Sequence, residues 1–290
     1  MSPTLSIIVA SHNARASIEA CLDSLVRQMD QSVELIVVDN SVDGSADLVR
    51  ARYTRVHLLA LAPTALVNEL WSAGIQESHG AIVALTTAHC IPADDWVAQV
   101  FEAHESPTAG VGGAIDGESG SGLTDWAVFF CRYSRFMPPL AEGKGIDIAA
   151  DNAAYKREPL FRHEDQWRSG FWEPQLHEAL LKEGQELKLC PGMLVRHRHS
   201  FGFASFMRQR FRHGRQFGGW RASNLTPTKR LIYLAAAPLI PLVLLQRTVR
   251  VVLGKGRHVS KLIAALPMLA AFFGAWVCGE ALGYARGSSR

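Results

Sequence analysis

Short apolar runs alternate with helical stripes through the first third of the chain. Leu5–Ala10 (LSIIVA) is rich in β-branched residues and reads as a strand. Ile18, Cys21, Leu22, Leu25 and Val26 follow at i, i+3, i+4, i+7 and i+8, one stripe of a helix. Val33–Asp39 (VELIVVD) is a second strand, ending in a carboxylate. A helix from near Ser45 to Tyr53, a strand at Val56–Leu59, a helix at Ala65–Gln76 and a strand at Ala81–Leu85 continue the alternation. Such alternation implies parallel strands joined by right-handed crossovers, an α/β layered sheet. Ligands on such sheets gather at the carboxyl ends of the strands. Here those ends are Ser11-His12-Asn13, Asp39-Asn40-Ser41 and Thr86 to Cys90.

The pattern then loosens. Val111–Asp116 (VGGAID) reads as a strand whose glycines admit something close to the backbone. Gly117–Gly122 is a loop, Leu123–Ser134 an aromatic helix, 137–147 a Pro/Gly loop, and Pro174–Lys182 a helix stopped by Gly184. Further on, Phe203, Phe206, Met207 and Phe211 share one side of a helix, and Arg208, Arg212 and Arg215 the other. This is a basic amphipathic helix with aromatic anchors. Leu231–Leu245 and Leu262–Gly279 carry no charge, and Arg247, Arg250, Lys255, Arg257 and Lys261 lie between them.

With 290 residues, 48% apolar and 20% charged, the chain is neither disordered nor a disulfide miniprotein, nor a multi-span transporter. The formal charge of +3 hides a division. Residues 1–186 carry 13 Lys/Arg against 26 Asp/Glu; residues 187–290 carry 17 against one acid, Glu280. An acidic body with a basic tail points to an anionic surface. A nucleic acid is not the expected partner, because the cations alternate with long apolar segments that duplex contact does not need. Lipid headgroups explain charge and apolarity together. The five cysteines have no CxxC spacing, which fits free thiols in a reducing compartment. The start has no basic leader before its short apolar run and reads as a strand rather than a signal peptide.

Three stretches carry a resemblance: VASHN at 9–13, VVDNSVDGS at 37–45 and ALTTAHCIPADDWV at 84–97. They resemble glycosyltransferase family 2, whose fold is GT-A. The first is similar to the family's V-I-P-x-Y-N strand end, the second to its V-V-D-x-S-x-D-G-S nucleotide loop. The third occupies the place of its D-x-D segment. The likeness continues through DNAAYKREPLF at 151–161 and FWEPQLHEALLKEGQEL at 171–187. It implies an α/β, Rossmann-like mixed and mostly parallel sheet with helices on both faces. It also implies transfer of a sugar from a nucleotide-diphosphate donor to a hydroxyl acceptor. The alternative is a catalytically silent relative that binds the nucleotide sugar.

By this resemblance Asn13, Asp39 and Asp43 line the donor pocket, though Asp39 can equally cap its turn and Asp43 the following helix. Asp116 would contact the donor sugar, and Asp151 and Asn152 would close the acceptor side; these too can be turn residues. Glu173 would be the base that takes the acceptor proton; its other reading is an acid in the first turn of a helix. The departure is at the metal. The D-x-D carboxylates fall on Thr87 and His89, so the motif reads Thr-Ala-His. His89 and His197, with His199 next, are the candidate ligands. Imidazole suits Mn²⁺ better than Mg²⁺, and no metal is the other reading. Asp94 and Asp95 are read as starting the helix of Trp96, with replacement of the lost ligands as their alternative.

The expected organisation is a catalytic domain over 1–200, a basic interfacial helix over 201–230, and a hydrophobic helical hairpin over 231–290. Leu231–Leu245 is too short to span unless it runs past Gln246 and Arg247. A span would also place five cations on the far side. The expectation is therefore a monotopic anchor at the cytoplasmic face of the membrane, with a lipid or lipid-linked acceptor.

Overall fold

The computed structural model describes residues 3–118, 122–198, 202–223 and 225–286. It forms two units, one of residues 1–118 with 136–199 and one of 119–135 with 200–290.

The first unit opens with β1 (Leu5–Ser11), α1 (Ile18–Val26), β2 (Val33–Asp39), α2 (Ser45–Arg52), β3 (His57–Ala60), α3 (Val67–Glu77) and β4 (Ile82–Thr87). The strands β3-β2-β1-β4 lie side by side and parallel, as the alternation predicts. Every residue of β1 is buried, which is why its run is continuously apolar rather than alternating.

The sheet then turns mixed. After β5 (Cys90–Pro92) and α4 (Trp96–His104) come β6 (Gly110–Gly117) and, beyond α5 (Leu123–Tyr133), β7 (Gly143–Gly145) and β8 (Asn152–Lys156). The short helices α6 (Arg157–Arg162) and α7 (Glu164–Trp167) lead to α8 (Glu173–Lys182) and β9 (Leu187–His197). The full order is β3-β2-β1-β4-β8-β6-β9-β5, with β7 on β9. β6 and β9 run parallel; β8, β5 and β7 join antiparallel. This is the predicted mixed, mostly parallel α/β sheet. Gly-Lys-Gly at β7 lies within the expected loop; it becomes a strand because β9 offers it an edge.

One core cluster joins Ile8, Ile36, Val38, Trp71, Leu85, Tyr155, Trp167 and Phe171. Fully burying such side chains contributes about 1.5–3 kcal/mol each. The glycines of β6 do admit a close approach, and what approaches is protein. A Cβ on Gly113 would lie 1.9 Å from the Met193 carbonyl and 2.3 Å from Asn152 Nδ2, and one on Gly112 2.4 Å from Ile148 Cβ.

The second unit is helical: α5, α9 (Phe203–Ser223), α10 (Pro227–Ala236), a 3₁₀ turn at Ala237–Leu239, α11 (Ile240–Lys255) and α12 (Val259–Arg286). Two expectations change here. The α5 segment belongs to this unit and not to a 1–200 domain. Its aromatic face packs on the other helices, with the Trp126 ring 4.5 Å from that of His258. Nor does α9 stand apart from the hairpin, for one of its faces packs on α12. Gly214 and Gly218 on α9 meet Gly279 and Gly283 on α12, so close that a Cβ at any of them would strike the facing backbone at 2.1–2.4 Å. Small residues spaced by four allow this approach. Glu280, the lone acid of the tail, is buried there. It accepts hydrogen bonds from Trp276 Nε1 and the Tyr284 hydroxyl at 3.1 and 2.7 Å and faces Arg221 at 3.8 Å.

The chain holds two helical stretches long and apolar enough to cross a membrane, Pro227–Lys255 and Val259–Arg286. The first runs past Gln246 and Arg247, the condition under which the Leu231–Leu245 segment was expected to be long enough; arginines are good helix formers and do not stop it. At 29 and 28 residues both exceed the ~20 that a ~30 Å hydrocarbon layer requires. Within the unit the first stretch is little covered: Leu231, Ile232, Leu239, Leu242 and Val243 are 59–68% exposed.

Candidate active site

Register brings the carboxyl ends of β2, β1 and β4 together: Asp39 pairs with Ser11, and Ala10 with Thr87. The loops leaving these ends are stitched to one another. Asn13 has φ of 48°, a left-handed conformation that Asn tolerates. Its Oδ1 accepts from the Val42 amide at 3.1 Å, and its own amide donates to Ser41 Oγ at 2.7 Å. Asp39 is buried, and its carboxylate accepts from the Ser41 amide and hydroxyl at 2.9 and 2.8 Å. Asp43 accepts from Ser45 and, at 3.0 Å, from the Arg15 amide. Burial alone would raise the Asp43 carboxyl; the bonds from Ser45 and Arg15 outweigh it and hold it below the usual range. Asn13, Asp39 and Asp43 therefore share one corner; Asp39 closes its turn, and Asp43 binds Ser45 at the start of α2, whose N-cap position is held by Gly44. His12, which the sequence reading passed over, joins them through Asn40 Oδ1 at 2.8 Å.

The second cluster lies where β4 meets β8. Thr86 Oγ1 donates to the Asp151 carbonyl at 2.9 Å and Thr87 Oγ1 to Asp151 Oδ1 at 3.4 Å. Asn152 is fully buried and its amide is used inside the fold. Oδ1 accepts from Trp96 Nε1 at 2.8 Å, and Nδ2 donates to the carbonyls of Ala114 and Met193 at 2.9 and 2.8 Å. That side chain closes the bulge at Gly113/Ala114 rather than facing a pocket.

Glu173 opens α8 with Pro174 behind it, the favoured place for proline. The half-buried carboxylate accepts from the Ala150 amide at 3.3 Å. Burial pushes its proton affinity up to about 7; the negative charges of Asp151 and Asp147 add to the rise, and the Ala150 amide opposes it. A carboxylate so poised can take a proton near neutral pH.

The third cluster is at the ends of β5, β6 and β9. His197 pairs with Cys90 and with Gly117, and the His89 carbonyl accepts from the Arg198 amide at 2.7 Å. His89 Nδ1 lies 3.3 Å from Ser17 Oγ. Asp116 accepts from the Gly117 amide at 2.9 Å. Asp95 stands at the N-cap position of α4 without a side-chain cap bond, and Asp94 faces Arg27 at 3.4 Å. Among the described residues no three His, Cys, Asp or Glu side chains converge to hold a metal ion. A hydroxyl stands at the first D-x-D position and is turned to Asp151. The described donor set does not fit the D-x-D type of divalent-cation site. His199 lies outside the described residues.

An α/β sheet with carboxylates and amides gathered at its carboxyl edge is a nucleotide-binding architecture. Residues 6–162 match the family described as Glycosyl transferase family 2, and the chain belongs to that family. EpsH of Bacillus subtilis (strain 168) is 30% identical over 103 residues, covering 33% of this chain and 27% of EpsH. The glycosyltransferase AglE of Haloferax volcanii is 29% identical over 101 residues, 33% of each chain. These matches span a third or less of the relatives' own length. The mannosyltransferase PcManGT from Pyrobaculum calidifontis, solved in complex with GDP-Man and Mn²⁺, shares the fold. Its TM-score is 0.55 at 18% identity, over 95% of this chain and 86% of that one.

Proposed function

We propose that this chain transfers a sugar from a nucleotide-diphosphate donor to an acceptor hydroxyl, with Glu173 as the base. The observation that carries the proposal is Glu173 itself, a half-buried carboxylate at the start of α8 that accepts from the Ala150 amide, with burial raising its proton affinity toward neutrality. The base takes the hydroxyl proton as the oxygen attacks the anomeric carbon and the nucleoside diphosphate leaves. Asn13, Asp39 and Asp43 are proposed to hold the nucleoside end, Asp116 the donor sugar, and Asp151 the acceptor side. Nucleotide-sugar binding is supported by family membership and by the GDP-Man in the PcManGT structure. That structure also holds Mn²⁺. In this chain His89 and His197 are proposed as the side chains nearest in kind to a cation's ligands, imidazoles that suit Mn²⁺ better than Mg²⁺, and no step of the transfer is assigned to a metal.

The helical unit is proposed to hold the enzyme on an anionic membrane, at its cytoplasmic face, where a lipid or lipid-linked acceptor is at hand. The support is the pair of long apolar helices and a tail with 17 cations to one acid. A second reading, a silent nucleotide-sugar-binding relative, is favoured by one observation, the absence of D-x-D carboxylates at Thr87 and His89. A calorimetric screen of nucleotide sugars, followed by product analysis with the donor that binds, separates the two. Binding with turnover supports transfer, binding without turnover the silent relative, and no binding contradicts both.

A further inference from the structure

Between α9 and α12 lies a groove that sugar transfer leaves unused. Its volume is about 480 Å³, and it is lined by Met207, Arg208, Phe211 and Arg212 of α9 and by Ala275 of α12. Sites for small organic molecules have volumes of ~300–1,000 Å³. The groove follows from the sequence of the two helices. At one level the rings of Phe203 and Phe206 meet Phe272, at centroid distances of 5.4 and 4.6 Å, and hold the helices apart. Further along, Gly279 lies so near the Phe211 carbonyl that a Cβ would come within 2.1 Å of it. Ala275 stands one turn before Gly279, between these levels, and its single methyl leaves the space beside it unfilled.

The lining joins two chemistries. Met207, Phe211 and Ala275 are apolar, and Phe211 is 37% exposed. Arg208 and Arg212 are exposed and four residues apart, so they share one rim of the groove. Like charges at that spacing repel, and an anion at the rim relieves the repulsion. The helical unit contains two acids, Asp125 and Glu280. Glu280 accepts from Trp276 and Tyr284 and faces Arg221, and Asp125 accepts from the Gly122 amide at 3.0 Å. On α12 no charge stands between Lys261 and Glu280. Arg212 also interacts elsewhere in the protein. The direct contact to a ligand is therefore assigned to Arg208, with Arg212 adding charge at the rim.

A guanidinium meets phosphate oxygens with parallel N–H bonds. An alkyl chain fits the apolar floor. A free phosphate makes no use of Met207, Phe211 and Ala275, and an uncharged lipid none of the arginines; an anionic phospholipid uses both. We propose that the groove binds one anionic phospholipid, its phosphate on Arg208 and an acyl chain along Met207, Phe211 and Ala275. This deepens the reading of the helical unit as a membrane anchor, on which its place in the membrane rests.

The test uses the full chain in an uncharged detergent, with native mass spectrometry counting bound lipids. Short-chain phosphatidylglycerol is expected to bind one per chain, at least about tenfold more tightly than short-chain phosphatidylcholine. Arg208→Gln removes the rim charge and Ala275→Leu fills the floor; each is expected to weaken phosphatidylglycerol binding by about tenfold. Arg215→Gln removes the same charge from α9 outside the groove lining, and is expected to change binding by less than about twofold at physiological salt. Equal losses in Arg208→Gln and Arg215→Gln would mean diffuse attraction and overturn the proposal. So would phosphatidylcholine bound as tightly as phosphatidylglycerol, or displacement of the lipid by millimolar inorganic phosphate, the mark of a free-phosphate site. If Ala275→Leu fails to fold, Arg208→Gln, at an exposed position, decides. Flotation with phosphatidylcholine–phosphatidylglycerol vesicles tests the anchor separately, and Arg208→Gln should still float on its apolar helices. A wild type that does not float but binds one lipid in detergent removes the anchor and keeps the site. Floating chains whose lipid binding ignores Arg208→Gln remove the site and keep the anchor.

Discussion

Thr87 Oγ1 lies 3.4 Å from Oδ1 of Asp151, so a hydroxyl and a carboxylate are paired where the resemblance places the first metal-binding acid. A hard divalent cation gains little from such a donor. Donor binding is expected to change by less than about threefold between chelator and millimolar Mg²⁺, as read by calorimetry. Tighter binding by about tenfold or more with Mg²⁺ would contradict this and return Asp94 or Asp95 to consideration as ligands.

Asp39 is expected to matter through the nucleotide. Removing its carboxylate also frees the Ser41 amide and hydroxyl that shape the loop. Asp39→Ala should weaken donor binding by about tenfold, the size of one or two lost polar contacts. An unchanged dissociation constant would leave Asp39 as a turn cap alone.

Asn152 is expected to behave differently. Asn152→Ala strips partners from the Trp96 indole N–H and from two buried carbonyls. Each group left unsatisfied costs about 1–3 kcal/mol. The variant should unfold at markedly lower denaturant or temperature. Weakened donor binding at unchanged stability would show instead that the side chain serves the substrate.

Much of this arrangement could be read from the residues, and the misses share a cause. The apolar runs ending at Ser11 and Asp39 fixed the strand ends, because a fully buried parallel strand leaves a continuous signature. The residues of α5 read as an aromatic helix, but did not say what Trp126 and Phe129 pack against. Its partners in α12 lie more than a hundred residues on. Asn152 was placed at the acceptor side by likeness alone. Trp96, Ala114 and Met193, which use its amide, are 56, 38 and 41 residues away. The helix over Gln246 and Arg247 was left open by the residues, because an uncharged run marks apolarity, whereas hydrogen bonding and propensity decide helix length.

The helical unit leads to a topological test. Gly256 and His258 both have positive φ, so α11 and α12 are joined by a tight turn. A cysteine at 257 should escape an impermeant thiol reagent in intact cells if the hairpin enters and leaves by the cytoplasmic leaflet. Detergent should be required to extract the protein. Labelling from outside would establish two spans, and release by salt alone would remove the membrane-embedded reading.

Glu173 carries the central claim. With its proton affinity raised to about 7, the group is protonated below that pH and cannot accept a proton. Turnover should therefore rise as pH increases through about 7 and level off above it. The most direct measurement compares turnover and donor affinity of wild type and Glu173→Gln, which keeps the shape and loses the proton acceptor. The account expects donor affinity within about twofold and turnover lower by ~10²–10⁴-fold above pH 7, the difference narrowing as the pH falls below it. Turnover equal to wild type, with the same rise near neutral pH, would contradict it.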